Sequence, residues 1–520
     1  MYEYNLGIRF LNVARRHAGR VAVWFGEGES ISYGELDSLS NRAARWLAAR
    51  GVRRGDVVCL SGDKSVTTFA AMLACLKLGA PYCVLDPDSP AERLRKILST
   101  CRPRLLLASR DFLRRAGEAA RSLGVAAAQT ESLDAESSGH DGADLIEARA
   151  ATGESPAYIM FTSGSTGVPK GAVMTHANVL NLVAWGAETF GVTPDDRLTN
   201  VNPLYFDNSV FDFYTALFTG ARLVPFTKAE VTDPKRLVEK VDAAACTLWF
   251  SVPSLLVFLQ TMRATDGKNL SSIRRFAFGG EGYPKAKLKK LYDAYAAASE
   301  FFNVYGPTEC TCICSSYKIT ARDFDDPQGL PPLGSIADNF SYLILGEDGR
   351  AVPAGEAGEL CLLGPNVGKG YYNDPERTAA SFVQNPYNES FREIMYKTGD
   401  VVRLDPADGK LYIQGRRDNQ IKHMGYRVEL EEIESALHRL DYVAQAAVLH
   451  ATNAAGLSRI VAVVAARAEF ADEQIKGDLR RLIPDYMIPS VFHREAALPK
   501  NPNGKVDRRG LAEKYLARSS

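Results

Sequence analysis

The sequence lacks several features, and each absence removes a class of protein. Lys plus Arg equals Asp plus Glu at 62 each, so the 520-residue chain has no formal net charge. No overall electrostatic field therefore favours nucleic acid or an anionic membrane as a partner. The N-terminus has no basic region followed by an apolar run, and no stretch reaches the roughly 18 apolar residues of a membrane span. We expect no signal peptide and no membrane insertion.

Cysteine is present, but its spacing suits neither a disulfide framework nor a metal site. The nine cysteines are scattered, no CxxC pair occurs, and the seven histidines do not cluster. This pattern is typical of reduced thiols in a cytoplasmic protein, and we expect no structural zinc. Cys310, Cys312 and Cys314 alternate, which predicts that they lie on one face of a strand.

Two common nucleotide-binding patterns are also missing. The pattern GxxxxGK[ST] is absent because each Gly-Lys pair precedes Asn, Gly, Leu or Val, and GxGxxG does not occur. What is present is an apolar run at 157–161, followed by the stretch Thr162-Ser163-Gly164-Ser165-Thr166-Gly167-Val168-Pro169-Lys170-Gly171.

We interpret the stretch from 162 to 171 as a phosphate-binding loop. Its glycines allow close backbone approach and an anion nest, while the hydroxyl groups add donors and Lys170 adds a positive charge. A flexible Gly/Ser linker is the alternative. The apolar strand before the loop and Pro169 at its exit both argue against that alternative.

Alternating helical and strand-like runs predict an α/β architecture. A polar break at 415–420 precedes an amphipathic stripe, which predicts a large domain at 1–417 and a small α+β domain at 418–520. Residues 130–155 are poor in large apolar side chains and predict an exposed connection. The predicted elements are helices at 35–50, 70–78 (closed by Gly79) and around 430–440, and strands at 57–60, 105–107 and 157–161.

The loop and several later segments together resemble the acyl-adenylate-forming superfamily, over nearly the whole chain and in the same order. That superfamily includes acyl-CoA synthetases, luciferases and the adenylation domains of nonribosomal peptide synthetases. The resemblance implies layered α/β sheets with a β-barrel-like subdomain in the large domain, and a mobile small domain. The matching segments are 31–36, 76–82, Asn303-Val304-Tyr305-Gly306-Pro307-Thr308-Glu309, Tyr396-Lys397-Thr398-Gly399-Asp400, Gly415-Arg416-Arg417-Asp418 and Asn503-Gly504-Lys505-Val506-Asp507-Arg508.

The resemblance also implies ATP as substrate, Mg²⁺ as cofactor and a role for each matching residue. Thr308 and Glu309 would serve the metal, with Glu309 as its carboxylate ligand, and Lys505 would stabilise the reacting charge. The nucleotide would contact Asn303, Tyr305, Gly306, Asp400 and Arg416 as well as the phosphate loop. After adenylation the small domain would rotate about Asp418, and the loop with Lys422 and Gly425 would serve thioester formation.

The segment Phe206-Asp207-Asn208-Ser209 resembles the substrate motif of amino-acid-activating members, in which the position of Asp207 holds the α-ammonium group. A buried amine needs such a carboxylate, because an unpaired buried charge is very costly. Motif spacing places the rest of the pocket at Asn208, Phe211, Phe250, Phe276, Phe278, Val304, Cys312 and Ile313.

Four phenylalanines in one pocket predict a small substrate side chain, such as that of alanine, glycine or serine. If the rings instead splay outward, they would line a larger apolar pocket. The chain is most similar to stand-alone D-alanine–carrier-protein ligases and free-standing adenylation enzymes, but Phe278 stands where those ligases have a smaller residue. The stereochemistry of the substrate therefore stays open.

The sequence also points to a carrier protein as partner. No LGGxS-like phosphopantetheine site follows Lys505 and no HHxxxDG condensation motif occurs, so we expect a phosphopantetheinylated carrier protein in trans. The alternative is that the chain is a segment excised from a larger synthetase. An acyl- or aryl-CoA synthetase is the first alternative, and Asp207 argues against it. An inactive ligand-binding or scaffold homologue is the second, and the intact catalytic positions argue against that.

Overall fold

A computed structural model describes residues 3–164, 167–265, 268–452, 458–500 and 506–516. The chain divides into two compact units, which we call the larger unit and the smaller unit. The larger unit comprises Met1–Asp86, Cys101–Met160 and Gly171–Arg417, and the smaller unit comprises Pro87–Thr100, Phe161–Lys170 and Asp418–Ser520. The smaller unit thus takes in two segments from the first half of the chain. The functional domains 1–417 and 418–520 stay a prediction.

The strands of the described residues are β1 (Val21–Gly26), β2 (Glu29–Ser32), β3 (Val58–Ser61), β4 (Tyr82–Val84), β5 (Leu105–Ala108), β6 (Ala126–Gln129), β7 (Pro156–Thr162), β8 (Lys170–Thr175), β9 (Arg197–Asn200), β10 (Arg222–Pro225), β11 (Leu248–Ser251), β12 (Arg275–Gly279), β13 (Glu300–Tyr305), β14 (Ser315–Lys318), β15 (Ser335–Ile336), β16 (Ser341–Leu345), β17 (Ala357–Leu363), β18 (Phe382–Gln384), β19 (Ile394–Leu404), β20 (Leu411–Arg416), β21 (Gln420–His423), β22 (Tyr426–Glu429), β23 (Val443–Thr452), β24 (Ser458–Ala466) and β25 (Val491–Glu495).

The α-helices are α1 (Leu6–Arg16), α2 (Tyr33–Ala49), α3 (Val66–Leu78), α4 (Ala91–Cys101), α5 (Arg110–Ser122), α6 (Thr130–Ser137), α7 (His176–Thr189), α8 (Asn208–Leu217), α9 (Lys228–Thr232), α10 (Pro234–Ala243), α11 (Pro253–Thr261), α12 (Lys285–Tyr295), α13 (Pro375–Ser381), α14 (Leu430–His438), α15 (Asp472–Leu479) and α16 (Arg508–Tyr515). Short 3₁₀ helices cover Ile146–Arg149, Thr308–Cys310, Ala321–Phe324 and Asp485–Met487. Within the described part of the chain, no helix combines the length and apolarity that crossing a membrane requires.

The larger unit is built on layered sheets, as predicted. A nine-stranded sheet has the order β15-β14-β13-β12-β11-β9-β10-β1-β2, and its central strands from β13 to β1 run parallel. A six-stranded sheet has the order β6-β5-β3-β4-β7-β8. An antiparallel sheet of β16, β17, β19, β18 and β20 forms the subdomain for which a barrel-like structure was expected. In parallel sheets, sites gather where the strands end.

The smaller unit has an α+β architecture. Strands β21 and β22 form a hairpin, and β23, β24 and β25 form a three-stranded sheet in which β24 and β25 are parallel. Helix α14 buries Leu430, Ile433 and Leu437, which is the predicted stripe, while Leu440 follows the helix. These side chains share one core with β23 and β24.

Local sequence signals set the limits of the helices in the larger unit. Ser32 and Glu35 form a capping box at the start of α2. Helix α3 begins after Ser65, which accepts a hydrogen bond from the Thr68 amide. It ends at Gly79, whose φ of 65° is left-handed and suits glycine. Helix α3 begins at Val66, four residues before the predicted start at residue 70. It is buried on nearly all sides.

Two local predictions were wrong. Residues 130–155 are not simply an exposed connection, because they contain α6 and the 3₁₀ helix Ile146–Arg149, and Leu133 is buried in the main core. Cys310, Cys312 and Cys314 do not lie on one face of a strand, because a 3₁₀ helix and two left-handed residues precede β14. Burial of leucines such as Leu133 against the core depends on distant partners, so composition did not reveal it. The left-handed backbone at Thr311 and Cys312 likewise had no signal in the alternation of the cysteines.

Burial of a lysine between α2 and α3 gives a stability prediction. The Lys77 ammonium group donates to Asp37 Oδ1 (2.6 Å), Ser40 Oγ (2.7 Å) and Asn41 Oδ1 (2.6 Å), and its side chain is 3% exposed. Lys77→Met leaves these acceptors without their donor, so we expect unfolding of the larger unit to cost about 3 kcal/mol less. Urea denaturation followed by tryptophan fluorescence measures this, because the four tryptophans all lie in the larger unit.

The matched control for that experiment is Lys289→Met. Lys289 pairs with Asp293 on the surface of α12, where the two side chains are 46% and 57% exposed, so the change should cost less than about 1 kcal/mol. Equal losses in the two variants would contradict the structural role of the Lys77 cluster.

The smaller unit should lose stability in acid because of two histidines. His423 Nδ1 and His450 Nε2 each lie 2.7 Å from Ser458 Oγ, which can donate its one proton to only one of them. Burial, with a smaller effect of His450, lowers the pKa of His423 to about 4. The neutral ring therefore stabilises the fold above pH ~6.5, and this contribution disappears as pH falls towards 4.

Hydrogen exchange of the β23 and β24 amides at pH 7 and pH 5, corrected for intrinsic rates, checks this expectation. Protection should fall more steeply with acid in the wild type than in His423→Asn. The control His438→Asn changes an exposed residue of α14 and should behave as the wild type. An acid response in His423→Asn as steep as in the wild type would rule out His423 as its source.

Candidate active site

A buried network joins the predicted adenine and ribose residues in the larger unit. The Tyr305 hydroxyl, at the end of β13, donates to Asp400 Oδ2 (2.5 Å), and Arg416 donates to Asp400 Oδ1. Asp400 and Arg416 are register partners on β19 and β20. Burial and the nearby carboxylate raise the pKa of Tyr305, so its phenol stays a donor. Each Asp400 oxygen keeps a second lone pair with which it could accept a ribose hydroxyl.

The segment after β13 brings two backbone strands unusually close. Asn303 donates its side-chain amide to the Pro332 carbonyl at 2.8 Å, so that donor already has a partner. A Cβ at Gly306 would lie 2.3 Å from the Cys312 carbonyl oxygen, so only glycine fits there. Glycine at position 306 therefore allows the backbone after Tyr305 to lie directly against Cys312.

The candidate amine-binding carboxylate is linked to the candidate metal segment. Asp207 lies at the N-cap of α8, and Thr308 donates its hydroxyl hydrogen to Asp207 Oδ2 at 2.6 Å. Asp207 and the adjacent Asn208 are partly exposed, in contrast to the buried residues that follow them. The structure therefore brings Asp207 and Thr308 together, although they are 101 residues apart in the chain.

Glu309 is fully buried in the 3₁₀ helix Thr308–Cys310, and its Oε1 accepts a hydrogen bond from the Tyr371 hydroxyl at 2.8 Å. Its backbone carbonyl accepts the Gly368 amide at 2.9 Å. Among the described residues no group of three His, Cys, Asp or Glu could hold a metal ion. One oriented carboxylate fits Mg²⁺ that takes most of its ligands from a triphosphate and water. No sequence pattern had pointed to Tyr371.

Most of the predicted pocket residues lie in one core. Phe211 and Phe250 are 0% and 1% exposed, and their rings meet edge to face with centroids 5.2 Å apart. Val304, Cys312 and Ile313 are buried in the same cluster. Phe211 lies on α8, the helix that begins at the partly exposed Asn208.

Phe276 and Phe278 do not lie with these residues, so their placement in the pocket is corrected. Both belong to a separate core, where Phe276 stacks on Phe301 and Phe278 packs against Tyr283. Successive side chains of β12 point to opposite faces of the sheet, so an assignment that is wrong by one residue places a side chain on the wrong face.

Ala277 and Gly279 are the residues of β12 that share the face of Phe250 and Val304. The register pairs Phe250 with Ala277 and Gly279 with Val304, and Ala277 lies in the same core as Phe250. A Cβ on Gly279 would approach the Val304 carbonyl oxygen to 2.4 Å. Register between neighbouring strands, which motif spacing does not contain, is the signal that would have found them.

The phosphate loop follows β7 and belongs to the smaller unit. Thr162 ends the strand, and its hydroxyl has no hydrogen-bond partner within the described ranges. Ser163 donates its hydroxyl hydrogen to the Arg427 carbonyl at 2.5 Å, and the Gly167 amide donates to the Gly164 carbonyl at 2.9 Å. Lys170 begins β8. The predicted loop residues Ser165 and Thr166 lie outside the described residues.

Two basic residues of α4 near this loop were missed by sequence reasoning. Lys96 donates to the Gly167 carbonyl at 2.7 Å. Arg93 forms an ion pair with Glu432 of α14, and their side chains are 7% and 5% exposed. A basic residue on an amphipathic helix is usually a surface charge, so no sequence signal marked either one.

The predicted hinge and thioester loop lie at the start of the long segment of the smaller unit. Asp418 is its first residue and accepts the Gln420 amide at 3.3 Å. Lys422 lies on β21, and Gly425 forms the hairpin turn with Met424; both turn residues have positive φ, 84° and 51°. The Met424 side chain is exposed. Lys505, the predicted catalytic lysine, lies outside the described residues.

Family models match most of the chain. A model described as "AMP-binding enzyme" matches residues 10–372, and one described as "AMP-binding enzyme C-terminal domain" matches residues 432–505. The first match alone covers more than half of the 520 residues.

Curated relatives include peptide synthetases of Bacillus. The chain is 32% identical to bacitracin synthase 1 of Bacillus licheniformis over 97% of its own length and 9% of the relative's. It is 33% identical to surfactin synthase subunit 3 of Bacillus subtilis (strain 168) over 93% of its own length and 37% of the relative's. The chain therefore spans only a small part of these proteins.

Solved structures share the fold. An artificially fused adenylation–PCP di-domain from Klebsiella oxytoca has a TM-score of 0.83 at 23% identity, covering 95% of this chain and 94% of that one. The o-succinylbenzoate CoA synthetase MenE of Bacillus subtilis has a TM-score of 0.85 at 24% identity, covering 98% of each chain. The adenylation domain AlmE of Vibrio cholerae, solved with glycyl-adenosine-5'-phosphate, has a TM-score of 0.82 at 23% identity, covering 99% of each chain.

These matches confirm the predicted resemblance and the mixed α/β fold. The chain belongs to the AMP-binding enzyme family, within the acyl-adenylate-forming superfamily, and it is related to the adenylation domains of nonribosomal peptide synthetases.

Proposed function

We propose that the protein uses ATP to convert a small amino acid into its aminoacyl-adenylate and then transfers the aminoacyl group to the phosphopantetheine thiol of a carrier protein. The observation that carries this proposal is Asp207, a partly exposed carboxylate at the start of α8, the helix on which the buried ring of Phe211 contacts that of Phe250. The carboxylate suits an α-ammonium group, and the two large buried rings suit a short substrate side chain.

In the first half-reaction a carboxylate oxygen of the amino acid attacks the α-phosphorus of ATP, and pyrophosphate leaves. Asp207 would bind the ammonium group, Tyr305 would stack on adenine, and Asp400 with Arg416 would bind the ribose. The loop from Thr162 to Lys170 would bind the phosphates. Glu309 would hold Mg²⁺, which supplies positive charge against the triphosphate when bound. Lys505 would stabilise the charge that develops at the α-phosphate.

In the second half-reaction the thiol sulfur attacks the carbonyl carbon of the adenylate, and AMP leaves as the thiol loses its proton. Asp418 as hinge, with Lys422 and Gly425 in the thioester loop, stays a prediction from the resemblance. The adenylation–PCP fusion among the structural neighbours supports a carrier protein as the acceptor. Conformational exchange between half-reactions is a known way to gate two chemistries in one enzyme.

Two observations support a small amino acid. Phe211 and Phe250 are buried and their rings are in contact, so neither ring leaves a gap between them for a long side chain. The AlmE structure, of the same fold, was solved with a glycyl adenylate. The correction at Phe276 and Phe278 removes two of the four rings from the argument, which now depends on the remaining pair.

An acyl- or aryl-CoA synthetase is the second candidate, because MenE shares the fold over 98% of this chain. Such an enzyme has no need for a carboxylate at position 207. The two candidates therefore differ in whether an α-amine on the acid is required.

Amino-acid-dependent ATP–pyrophosphate exchange tests the substrate class. We expect exchange with glycine, alanine of either hand, or serine, and none with long-chain fatty or aryl acids. Asp207→Asn should lower kcat/KM for the preferred amino acid by about 10²–10³-fold, because it leaves a buried ammonium group without its counter-charge. It should leave the weak exchange with the des-amino acid, such as propionate for alanine, nearly unchanged.

The control for that variant is Asp195→Asn, which changes a carboxylate whose side chain is 87% exposed. It should match the wild type with every acid. Exchange restricted to fatty or aryl acids would favour the synthetase candidate and reject the proposed role of Asp207.

Lys505→Ala should separate the half-reactions. The variant loses the positive charge at the α-phosphate, so adenylation should fall by about 10²–10³-fold, equivalent to roughly 3–4 kcal/mol. Transfer from a chemically prepared aminoacyl-adenylate to a carrier thiol should continue. Lys500→Ala, an exposed lysine five residues away, is the matched control. Near-normal pyrophosphate exchange in Lys505→Ala would remove this lysine from the mechanism.

A further inference from the structure

A second carboxylate of α8 has no role in the mechanism above. Asp212 lies one helical turn after Asn208, directly follows Phe211, and is 0% exposed. A buried carboxylate is costly unless polar groups satisfy it. An apolar residue at position 212 would avoid the desolvation cost of a buried carboxylate, so the carboxylate calls for an explanation.

Two side-chain amides donate to Asp212, and a lysine contacts one of the two asparagines. Asp212 Oδ2 accepts from Asn202 Nδ2 at 3.0 Å and from Asn200 Nδ2 at 3.2 Å. Lys64 donates its ammonium hydrogen to the Asn200 carbonyl. Burial raises the pKa of Asp212, while the two amides and Lys64 oppose that rise. Its other oxygen, Oδ1, has no hydrogen-bond partner among the residues that the structure describes.

Asn202 connects this cluster to the pocket. Its Nδ2 donates both to Asp212 Oδ2 and to the Phe250 carbonyl, each at 3.0 Å. One amide group thus links helix α8 to the end of strand β11. Asn202 is itself buried, at 5% exposed, so water cannot readily replace it.

The bridge lies behind the two rings that limit the pocket. Phe211 precedes Asp212 on the helix, and Phe250 carries the carbonyl that Asn202 binds. The ring centroids, 5.2 Å apart, can stay in contact only while α8 and β11 keep their spacing. Hydrogen bonds fix that spacing more narrowly than apolar packing does, because they weaken steeply with distance and angle.

We propose that Asp212 is a positioning residue that sets the depth of the substrate pocket through Asn202. The proposal rests on the proposed function in naming an amino acid as the substrate. Asp212 would thereby determine whether the enzyme prefers substrates with shorter or longer side chains. A carboxylate with a purely structural role would not affect that preference.

Four variants test the proposal: Asp212→Ala, Asn202→Ala, Asp212→Asn and the control Asp195→Ala. The first removes the acceptor on α8, and the second removes the amide that connects α8 to β11. Asp212→Asn keeps an acceptor for the Asn202 amide and is the conservative rescue. Asp195→Ala makes the same change as the first variant at an exposed position. Thermal unfolding of each variant shows whether it is folded.

Pyrophosphate exchange is measured with glycine, alanine, 2-aminobutyrate and norvaline, and kcat and KM are determined for each. We expect both bridge-removing variants to raise the ratio of kcat/KM for 2-aminobutyrate to that for alanine by about tenfold, the scale of one methylene in a pocket. The change should lie mainly in KM for the longer acids. Asp212→Asn and the control should keep the wild-type ratio.

The proposal is overturned if the ratio stays constant in a folded Asp212→Ala or Asn202→Ala variant, or if Asp212→Asn shifts it as much as Asp212→Ala does. If Asp212→Ala does not fold, Asn202→Ala decides. If the wild type activates only acids without an amine, the proposed function fails. The series propionate, butyrate and valerate then tests the pocket depth separately.

Discussion

The candidate substrate contacts of the larger unit depend on the hydrogen-bonded register of three parallel strands, β11, β12 and β13. Because the register places Phe250 beside Ala277 and Gly279 beside Val304, one face of these strands meets α8 and the other packs on a second core. A slip of one residue in β12 would put two phenylalanine rings into the pocket. The side chains at the ends of these strands are therefore positioned by the backbone pairing of β11, β12 and β13.

Two carboxylates of the candidate site each accept a hydrogen bond from a tyrosine hydroxyl. Tyr305 and Tyr371 each donate a phenolic hydrogen to a carboxylate, at Asp400 and Glu309 respectively. A neutral donor orients a carboxylate without cancelling its charge, whereas an ion pair would compete with an incoming hydroxyl or cation. Asp400 also pairs with Arg416, so its charge is partly balanced.

The sequence predicted those parts that short segments determine by themselves. The capping box of α2, the glycine that ends α3 and the strand before the phosphate loop all act within a few residues. The motif residues Tyr305 and Asp400 were found in the same way, and the structure brings them together.

Features that depend on distant partners were not predicted. Tyr371 behind Glu309 and the ion pair of Arg93 with Glu432 join segments that are far apart in the chain. Phe276 and Phe278 were misplaced because motif spacing counts residues along one strand, while pocket membership depends on the neighbouring strand. Leu133 and Leu145 show the same limit, since a few buried apolar side chains were enough to pack a segment that composition marked as exposed against the core.

The crowding at Gly279 and Gly306 restricts how this pocket could diverge. At each position a β-carbon would meet a carbonyl oxygen closer than 2.5 Å, so part of the cavity wall is bare main chain that no point mutation can decorate. Variation in substrate choice during evolution, or by redesign, would then come from neighbouring side chains such as Asn208, Phe211 and Phe250. A library that randomises those three positions leaves the crowded backbone unchanged, whereas one that includes the glycines forces it to move.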